Sequence, residues 1–549
     1  MSKRRRVRAA PKPRARFPEW LRPAGILAAL AIAIYANSLA NGFVSDDKYQ
    51  LLKNPLIAGF SELPHIFGSG VWSFLGIPGN PGNYYRPLQF LAYLLLYQWA
   101  GLSAPAFHVF MVLLHAVNTV MLYLLVRRLA PGRVAFGAGT LFAVHPIHTE
   151  VVDWIAAAPD VLVTMLVLLG VWWLARQDDP PRGLAIAGHC GLYLAALLAK
   201  ETGAMLLPLY AGFGFLFRER GWQELRRNAK LYASMAATFG IYLAMRRAAL
   251  GSLAPGQGVF FHLTPREFAL SAVVLAAQYL GALLFPANLS YFHIFHPTAG
   301  LTPALLISAV ALAAVAAVFF RLCVSAARGS AFGHTPLLAF GMFWIAATLA
   351  PAFNLTGVGQ NVFAERYLYL PSVGFCWIVA WLWDRLASYK PAWAIYAGAT
   401  LLLFFAAEAV TRNRDWRDDY TLFQVTLRQS PSSGWLHNWM AGAYLDRNQF
   451  AQALAEERLA VEYEPRAPAF HENLGNILLI TDPPAAIAEF RGLLASFPDW
   501  GRCHSDLGIA LEAVGELREA AAEFQTALRL QPDYQEAQQG YQRVMARLQ

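Results

Sequence analysis

Apolar residues fall in long uninterrupted blocks through most of the chain, and polar residues gather in the gaps between them. The blocks cover 23–39, 106–126, 134–144, 161–174, 184–198, 203–217, 231–245, 301–320, 337–349, 373–383 and 393–407. They read as the centres of membrane helices, because about 20 apolar residues cross a hydrocarbon core. A further block, 268–285, is read as a re-entrant or surface segment. After Arg412 the pattern changes: apolar residues space out at helical period and charge rises.

This last part repeats. Pro431, Pro465, Pro498 and Pro532 stand 34, 33 and 34 residues apart, and a period of about 34 is that of tetratricopeptide helix pairs. Leu474–Gly475 and Leu507–Gly508 supply a small residue after a core leucine, as Met440–Ala441 with Tyr444 do in the first unit. Ala453, Ala486 and Ala520 take the helix-crossing position. Phe490 and Phe524 follow four residues on, and Ala527 after Phe524. The small residues let two helices approach while the aromatic ring fills the gap between units. The middle unit is one residue short near 482–484. About three repeats, with a capping helix from near Asp533, reach the minimum for a stable stack. The predicted fold is all-α: a basic tail at 1–20, a polytopic helical membrane module at 21–411 with roughly eleven crossings, and an α-solenoid at 412–549.

Composition agrees. The 549 residues are 57% hydrophobic and only 14% charged, against about 25% charged in soluble domains, and mean hydropathy is +0.37. This excludes an ordinary soluble enzyme. The net charge of +9 is concentrated between Lys3 and Arg16. Just ahead of an apolar block, such a run fixes topology by the positive-inside rule, and no nucleic-acid partner is expected. The run is not read as a cleaved signal, because many further apolar blocks follow. Arg127, Arg128 and Arg133, then Arg176 and Arg182, Arg218 to Lys230, Arg321 and Arg328, and Arg385 and Lys390 all fall on the same side if 268–285 does not cross. An odd number of crossings then puts the tail beyond Arg412 on the opposite, non-cytoplasmic side. Cys190, Cys323, Cys376 and Cys503 are scattered without a CxxC, so neither a zinc site nor a disulfide framework is indicated.

The other side collects ionisable residues at helix ends, where they are costly and point to function. The leading stretch is NGFVSDDKYQLLKNP, with Asp46 and Asp47 adjacent and Lys48 and Lys53 behind them. Two neighbouring carboxylates repel, so one of them needs a proton, a cation or a hydrogen-bond donor. The same side holds Tyr84–Pro87 (YYRP), His145–Glu150 (HPIHTE), Lys200–Glu201, Arg246–Arg247 and Ala364–Ser372 (AERYLYLPS). His108 and His115 read as packing residues. The His145 and His148 pair flanks Pro146 and is more often structural than metal-ligating. A divalent metal is therefore not assigned. Lys200 and Glu201 could simply pair with each other.

The chain resembles the transmembrane and tetratricopeptide-repeat O-mannosyltransferase family, within the GT-C class of lipid-phosphate-sugar glycosyltransferases. The resemblance rests on NGFVSDD with Asn54 following, YYRPLQFLAY, FHVFMVLLHAVN, LFAVHPIHTEVVDWIAAAPDVL, AKETG and NVFAERYLYLPSVG, in that order and followed by the repeats. It implies a site on the outer or lumenal face and a polyprenyl-phosphate sugar as donor. It departs at Ala157–Ala158–Pro159, where family members often carry a Gly-Arg pair, which leaves the sugar open. The Arg- and Ala-rich composition suits a bacterial member in the inner membrane, with the repeats in the periplasm and undecaprenyl phosphate as carrier. In a eukaryote the repeats would be in the ER lumen and the carrier would be dolichol.

With that resemblance the residues imply inverting transfer of one mannose-like sugar to a hydroxyl, such as Ser or Thr of a protein. Asp46 is the first choice of base, and Asp47 orients it or binds acceptor. Arg86, Arg246 and Arg366 are phosphate candidates, since arginine offers a fixed fork of donors. Lys200, Glu201, His148 and Glu365 are lesser candidates for sugar or phosphate contacts. The block 268–285 with 288–296 would form the lipid groove, and the repeats would receive the acceptor polypeptide. The competing expectation is a catalytically silent membrane anchor whose repeats recruit envelope or secretory proteins.

Overall fold

The computed structural model describes residues 18–75, 83–218, 222–253, 261, 263–327, 335–354 and 361–549. The basic run at 3–16, Arg220 and Arg328 lie outside them. Among the described residues the chain is helical and forms no strand. That is the expected solution in lipid, where a helix satisfies its own backbone N–H and C=O groups.

The first part comprises α1 (Leu21–Ile34), α2 (Pro87–Ala100), α3 (Ala104–Leu129), α4 (Gly132–Val144), α5 (Ala158–Ala175), α6 (Leu184–Ala199), α7 (Leu206–Phe217), α8 (Ala229–Leu250), α9 (Pro265–Leu284), α10 (Pro303–Ala327), α11 (Thr335–Leu349), α12 (Tyr369–Tyr389) and α13 (Pro391–Arg412). Every apolar block coincides with one of these helices. Among the described residues, six helices are long and apolar enough to cross a membrane, and the chain is an integral membrane protein. At ~1.5 Å per residue, the 26 residues of α3 outreach a core of about 30 Å.

One element lies outside the expectation, and another takes a definite form. Helix α2 lies outside every predicted block; it is only 14 residues long, and Gln89 and Tyr93 interrupt its apolar run. The block 268–285 falls on α9, one unbroken helix of 20 residues. A Thr264–Glu267 capping box starts α9. Its length lies against segment 285–298: Thr298 N–H donates to Ser271 Oγ at 2.9 Å. Near its end, Tyr279 donates to the Val362 carbonyl at 3.0 Å.

Four of the predicted cationic loops, those at 127–133, 176–182, 218–230 and 385–390, meet at one end of the bundle. Arg128 reaches the Ala175 carbonyl at 3.3 Å, Arg218 the Gln177 carbonyl at 2.6 Å, and Arg133 pairs with Asp384. The acidic and polar motifs occupy the other end.

From Asp419 the chain forms a solenoid. Helix α14 (Asp419–Gln429) leads into the pairs α15 (Gly434–Leu445) with α16 (Phe450–Tyr463), α17 (Pro468–Thr481) with α18 (Pro483–Ser496), and α19 (Gly501–Val514) with α20 (Leu517–Leu530); α21 (Gln535–Leu548) follows them. The glycine positions do what the repeat demands: a Cβ on Gly475 would sit 2.4 Å from the Phe490 ring. The short middle unit is explained by its turn, where Asp482 alone joins α17 to α18 and accepts a cap from Ala485 N–H at 3.3 Å. Each unit also carries a histidine clamp. His437, His471 and His504 bind Glu456, Glu489 and Glu523 at 2.6, 2.5 and 2.6 Å, and the other ring nitrogen meets the carbonyl of Pro431, Pro465 or Pro498.

The solenoid does not hang on a tether. Val44, Trp154 and Tyr291 share one buried cluster with Trp416, Phe423, Leu436 and Met440. The rings of Trp154 and Trp416 stack with centroids 6.3 Å apart.

Candidate active site

The acid pair lies where the chain leaves α1. After a 3-10 turn at Ala36–Ala40 the backbone extends, and Ser45 then takes φ +51°. That left-handed conformation is costly for a residue with a side chain and persists only where surroundings enforce it. Here Ser45 N–H donates to Asp419 Oδ1 at 2.7 Å, and its hydroxyl meets Tyr291 Oη at 2.6 Å. The following π-helical turn, Lys48–Leu52, carries the chain onward.

This geometry separates the two acids. Asp47 is wholly buried and accepts from Ala156 N–H at 2.6 Å and Val44 N–H at 3.2 Å. Burial pushes its carboxyl well above the usual range, although those two N–H groups pull the other way. Asp46 is half-buried and faces a cavity of about 400 Å³. Burial raises its carboxyl to about 6, with the Arg366 guanidinium pulling down and Asp419 pushing up.

Arg86, Lys200, Glu201, Arg246 and Arg366 line the same cavity, so six of the nine sequence candidates meet in one place. Local folding puts them there. Pro87 opens α2 and leaves Arg86 at its mouth. Lys200 is extended, with φ −159°, between α6 and the 3-10 turn Glu201–Met205. Gly203 lets that turn press on the Ala196 backbone, where a Cβ would come within 2.4 Å. Lys200 and Glu201 therefore diverge and do not pair with each other. Lys200 Nζ binds Asp160 at 2.5 Å. Glu201 Oε2 takes Arg86 at 3.1 Å, and its Oε1 stands 3.5 Å from Arg246. Arg246 is otherwise held by Asn83 Oδ1 at 2.8 Å and the Leu253 carbonyl at 3.0 Å, while among the described residues its Nη1 makes only the 3.5 Å ion pair with Glu201. Arg366 binds Glu150 at 2.5 Å and lies 5.3 Å from the Trp154 ring centroid. The wall thus combines guanidinium donors with aromatic faces, a surface suited to phosphate and sugar together.

Asp47, His148 and Glu365 do not line this cavity. His148 is spent internally, between the Phe142 carbonyl at 2.9 Å and Ser372 Oγ at 2.8 Å. Glu365 is fully buried, bonded to Ser290 N–H and, at 2.9 Å, to Arg412. His145 accepts from Ile147 N–H at 3.2 Å and meets the Leu283 carbonyl at 3.0 Å, which is the structural role expected of it. Among the described residues, no group of three or more His, Cys, Asp or Glu could hold a metal ion.

Sequence reasoning missed Asp160, Glu150 and Arg412. Asp160 and Glu150 both lie inside the quoted HPIHTEVVDWIAAAPDVL run, as the partners of Lys200 and Arg366. Arg412 reads in the sequence only as a boundary. It is buried and ties Glu365 to Thr149 Oγ1 at 2.9 Å and the Leu289 carbonyl at 2.5 Å.

Asp46 also lines a second space of about 570 Å³, between its own loop and the first two helix pairs of the solenoid. Lys48 spans its edge, with Nζ 2.7 Å from Asp419 and 2.6 Å from Asp446.

No family model matches the chain. It is similar to Protein O-mannosyl-transferase TMTC3 of Mus musculus, 26% identical over 486 residues that cover 82% of this chain and 52% of that protein. Protein O-mannosyl-transferase F38B6.6 of Caenorhabditis elegans is 25% identical over 426 residues, 75% of this chain and 58% of that one. Protein O-mannosyl-transferase Tmtc1 of Drosophila melanogaster is 26% identical over 538 residues, 81% and 62%. The chain therefore spans between half and two thirds of the length of these relatives. A solved structure, the APC/C hetero-tetramer Cut9-Hcn1, aligns over 88% of this chain and 98% of that one at 12% identity; its TM-score of 0.24 is too low to bear on the fold.

Proposed function

We propose that the protein is a glycosyltransferase of GT-C type that moves one mannose-like sugar from a polyprenyl-phosphate carrier to a Ser or Thr hydroxyl of an acceptor protein. Transfer takes place on the non-cytoplasmic face, in the periplasm if the host is bacterial, and the repeats lie on that face. The observation that carries this reading is the position of Asp46, whose carboxyl belongs both to the cationic cavity and to the space against the repeats. The relatives named protein O-mannosyl-transferases support the reaction class.

In this mechanism the acceptor oxygen attacks the anomeric carbon from the repeat side. Its proton passes to Asp46, and the bond from that carbon to the phosphate oxygen breaks with its electrons staying on phosphate. The configuration inverts. A base with its pKa near 6 suits proton abstraction near neutral pH. Arg86, Arg246 and Arg366 stabilise the charge growing on the leaving phosphate, and Nη1 of Arg246, held only by a 3.5 Å ion pair to Glu201, can turn to it. Glu201 holds Arg86 and Arg246 in place, and Lys200, paired with Asp160, adds a further positive charge to the wall. A cavity of about 500 Å³ between α9 and segment 285–298 would take the lipid chain.

The scaffold reading draws on one observation: each of the four cations already has a carboxylate partner. One comparison separates the two. Asp46→Asn keeps the size of the side chain but not its basicity. It should cut transfer to a Ser/Thr peptide by roughly a hundredfold or more, with donor binding retained. No transfer by the wild-type protein would leave the scaffold in possession, and wild-type transfer by Asp46→Asn would remove Asp46 as the base.

A further inference from the structure

The space between the Asp46 loop and the repeats is built differently from the cationic cavity. Asn438, on the first helix of the first pair, and Asn473, on the first helix of the second, both line it, and Asn473 Nδ2 donates to Asn438 Oδ1 at 2.7 Å. That bond engages one amide donor and one amide acceptor. It leaves the Asn438 NH2 and the Asn473 oxygen as the groups facing a ligand. Glu457, from the second helix of the first pair, lines the same space; it is 1% exposed, and among the described residues its Oε1 has no hydrogen-bond partner. The rim is apolar and open, with Tyr49, Leu52 and Ile480 between 44% and 59% exposed. Trp439 forms part of the wall.

We infer that this groove binds an extended stretch of polypeptide by its backbone amides and delivers a side-chain hydroxyl of that stretch to Asp46. The inference rests on the transferase reading for its purpose, but not for the binding itself. Paired donors and acceptors are what a peptide unit presents, one N–H and one C=O per residue. A primary amide supplies both at once, and two repeats supply it twice in register. Glu457 adds a third polar contact: burial raises its carboxyl to about 8, so at neutral pH it carries a proton and can both donate and accept. Because none of these groups reads a side chain, the groove selects a chain that is extended and flexible, with the open rim admitting apolar neighbours of the hydroxyl residue. The Lys48 bridge to Asp419 and Asp446 fixes the groove against the membrane half, so a bound chain lies at a set distance from Asp46.

The test uses the full-length protein in lipid nanodiscs, without any sugar donor. The probe is a fluorescein-labelled peptide of alternating alanine and threonine, followed by anisotropy. A second peptide of the same sequence carries N-methylated backbone amides. The unmodified peptide should bind, and the methylated one roughly tenfold or more weaker, because each lost hydrogen bond is worth a factor of several. Asn438→Ala and Asn473→Ala should each weaken the unmodified peptide by roughly fivefold. Ile480→Glu, at an exposed rim position that carries no folding load, should weaken it too. Equal affinity for the two peptides, wild-type affinity in all three variants, or no binding by the wild-type protein would each overturn the inference. Since no donor is present and nothing turns over, the outcome is independent of whether Asp46→Asn loses transfer.

Discussion

Asp47 and Ala156 lie 109 residues apart and meet through one hydrogen bond of 2.6 Å, the Ala156 N–H donating to Asp47 Oδ1. Ala156 is part of the wall of the cationic cavity, so this bond sets where the Asp46 loop stands against that wall. In our reading Asp47 positions and Asp46 reacts. Asp47→Asn keeps one acceptor and turns an NH2 toward a backbone donor. It should cost roughly 2 kcal/mol of stability, seen as a lower melting temperature in detergent. Asp46→Asn should melt close to wild type while losing turnover. A normal melt for Asp47→Asn would show that the contact holds nothing in place.

The pH dependence of transfer should report Asp46. A base acts only when ionised, so kcat/KM should climb with pH and level off above an inflection near 6, where burial has moved this carboxyl. Arg366 pulls that value down, so Arg366→Gln should move the inflection to higher pH. A profile flat between about pH 5 and 8 would exclude a base with this pKa.

Glu201 couples two donors of the cavity. Arg86→Gln and Arg246→Gln should each raise the KM for a lipid-linked sugar roughly ten- to a hundredfold, the worth of a charge-assisted hydrogen bond. Glu201→Gln loosens both arginines, and combining it with either change should cost less than the sum of the two. Strict additivity in that double-mutant cycle would mean that the three do not act as a unit.

The histidine clamps make the solenoid sensitive to pH in a defined direction. Burial lowers the His437 and His471 pKa values, but the carboxylates of Glu456 and Glu489 and the proline carbonyls raise them more, and the net shift is upward. A pKa raised on folding adds stability that is complete below the unfolded value of about 6.5 and is lost as pH rises through the folded value. The repeats should therefore melt lower as pH rises past neutrality. The cap already shows the neutral alternative, Gln538 donating to the Pro532 carbonyl at 2.8 Å. Changing His437 and His471 to glutamine should flatten the slope, which tryptophan fluorescence during heating would measure.

The fold was legible because both of its halves leave one-dimensional signals. Membrane helices must be continuous apolar runs, and stacked helix pairs must repeat their small residues and their prolines. The histidine clamp was equally open to reading, since His437, His471 and His504 each stand six residues after a repeat proline. The site was legible only as a set of polar motifs at one end of the bundle. Who partners whom was not, because Lys200 and Asp160, or Arg366 and Glu150, are brought together across 40 and 216 residues. Adjacent Asp46 and Asp47 look equivalent in the sequence. What tells them apart is the left-handed turn at Ser45, which no residue preference announces.

The stack of Trp154 on Trp416 joins the first helix pair to the membrane half in one cooperative unit. Each later pair touches only its neighbours. Growth of the protein is therefore free at one end and barred at the other. Repeats gained or lost beyond α21 would lengthen or shorten the reach of the solenoid without moving Asp46. A single residue inserted between Arg412 and Leu436 would rotate the whole array away from the base.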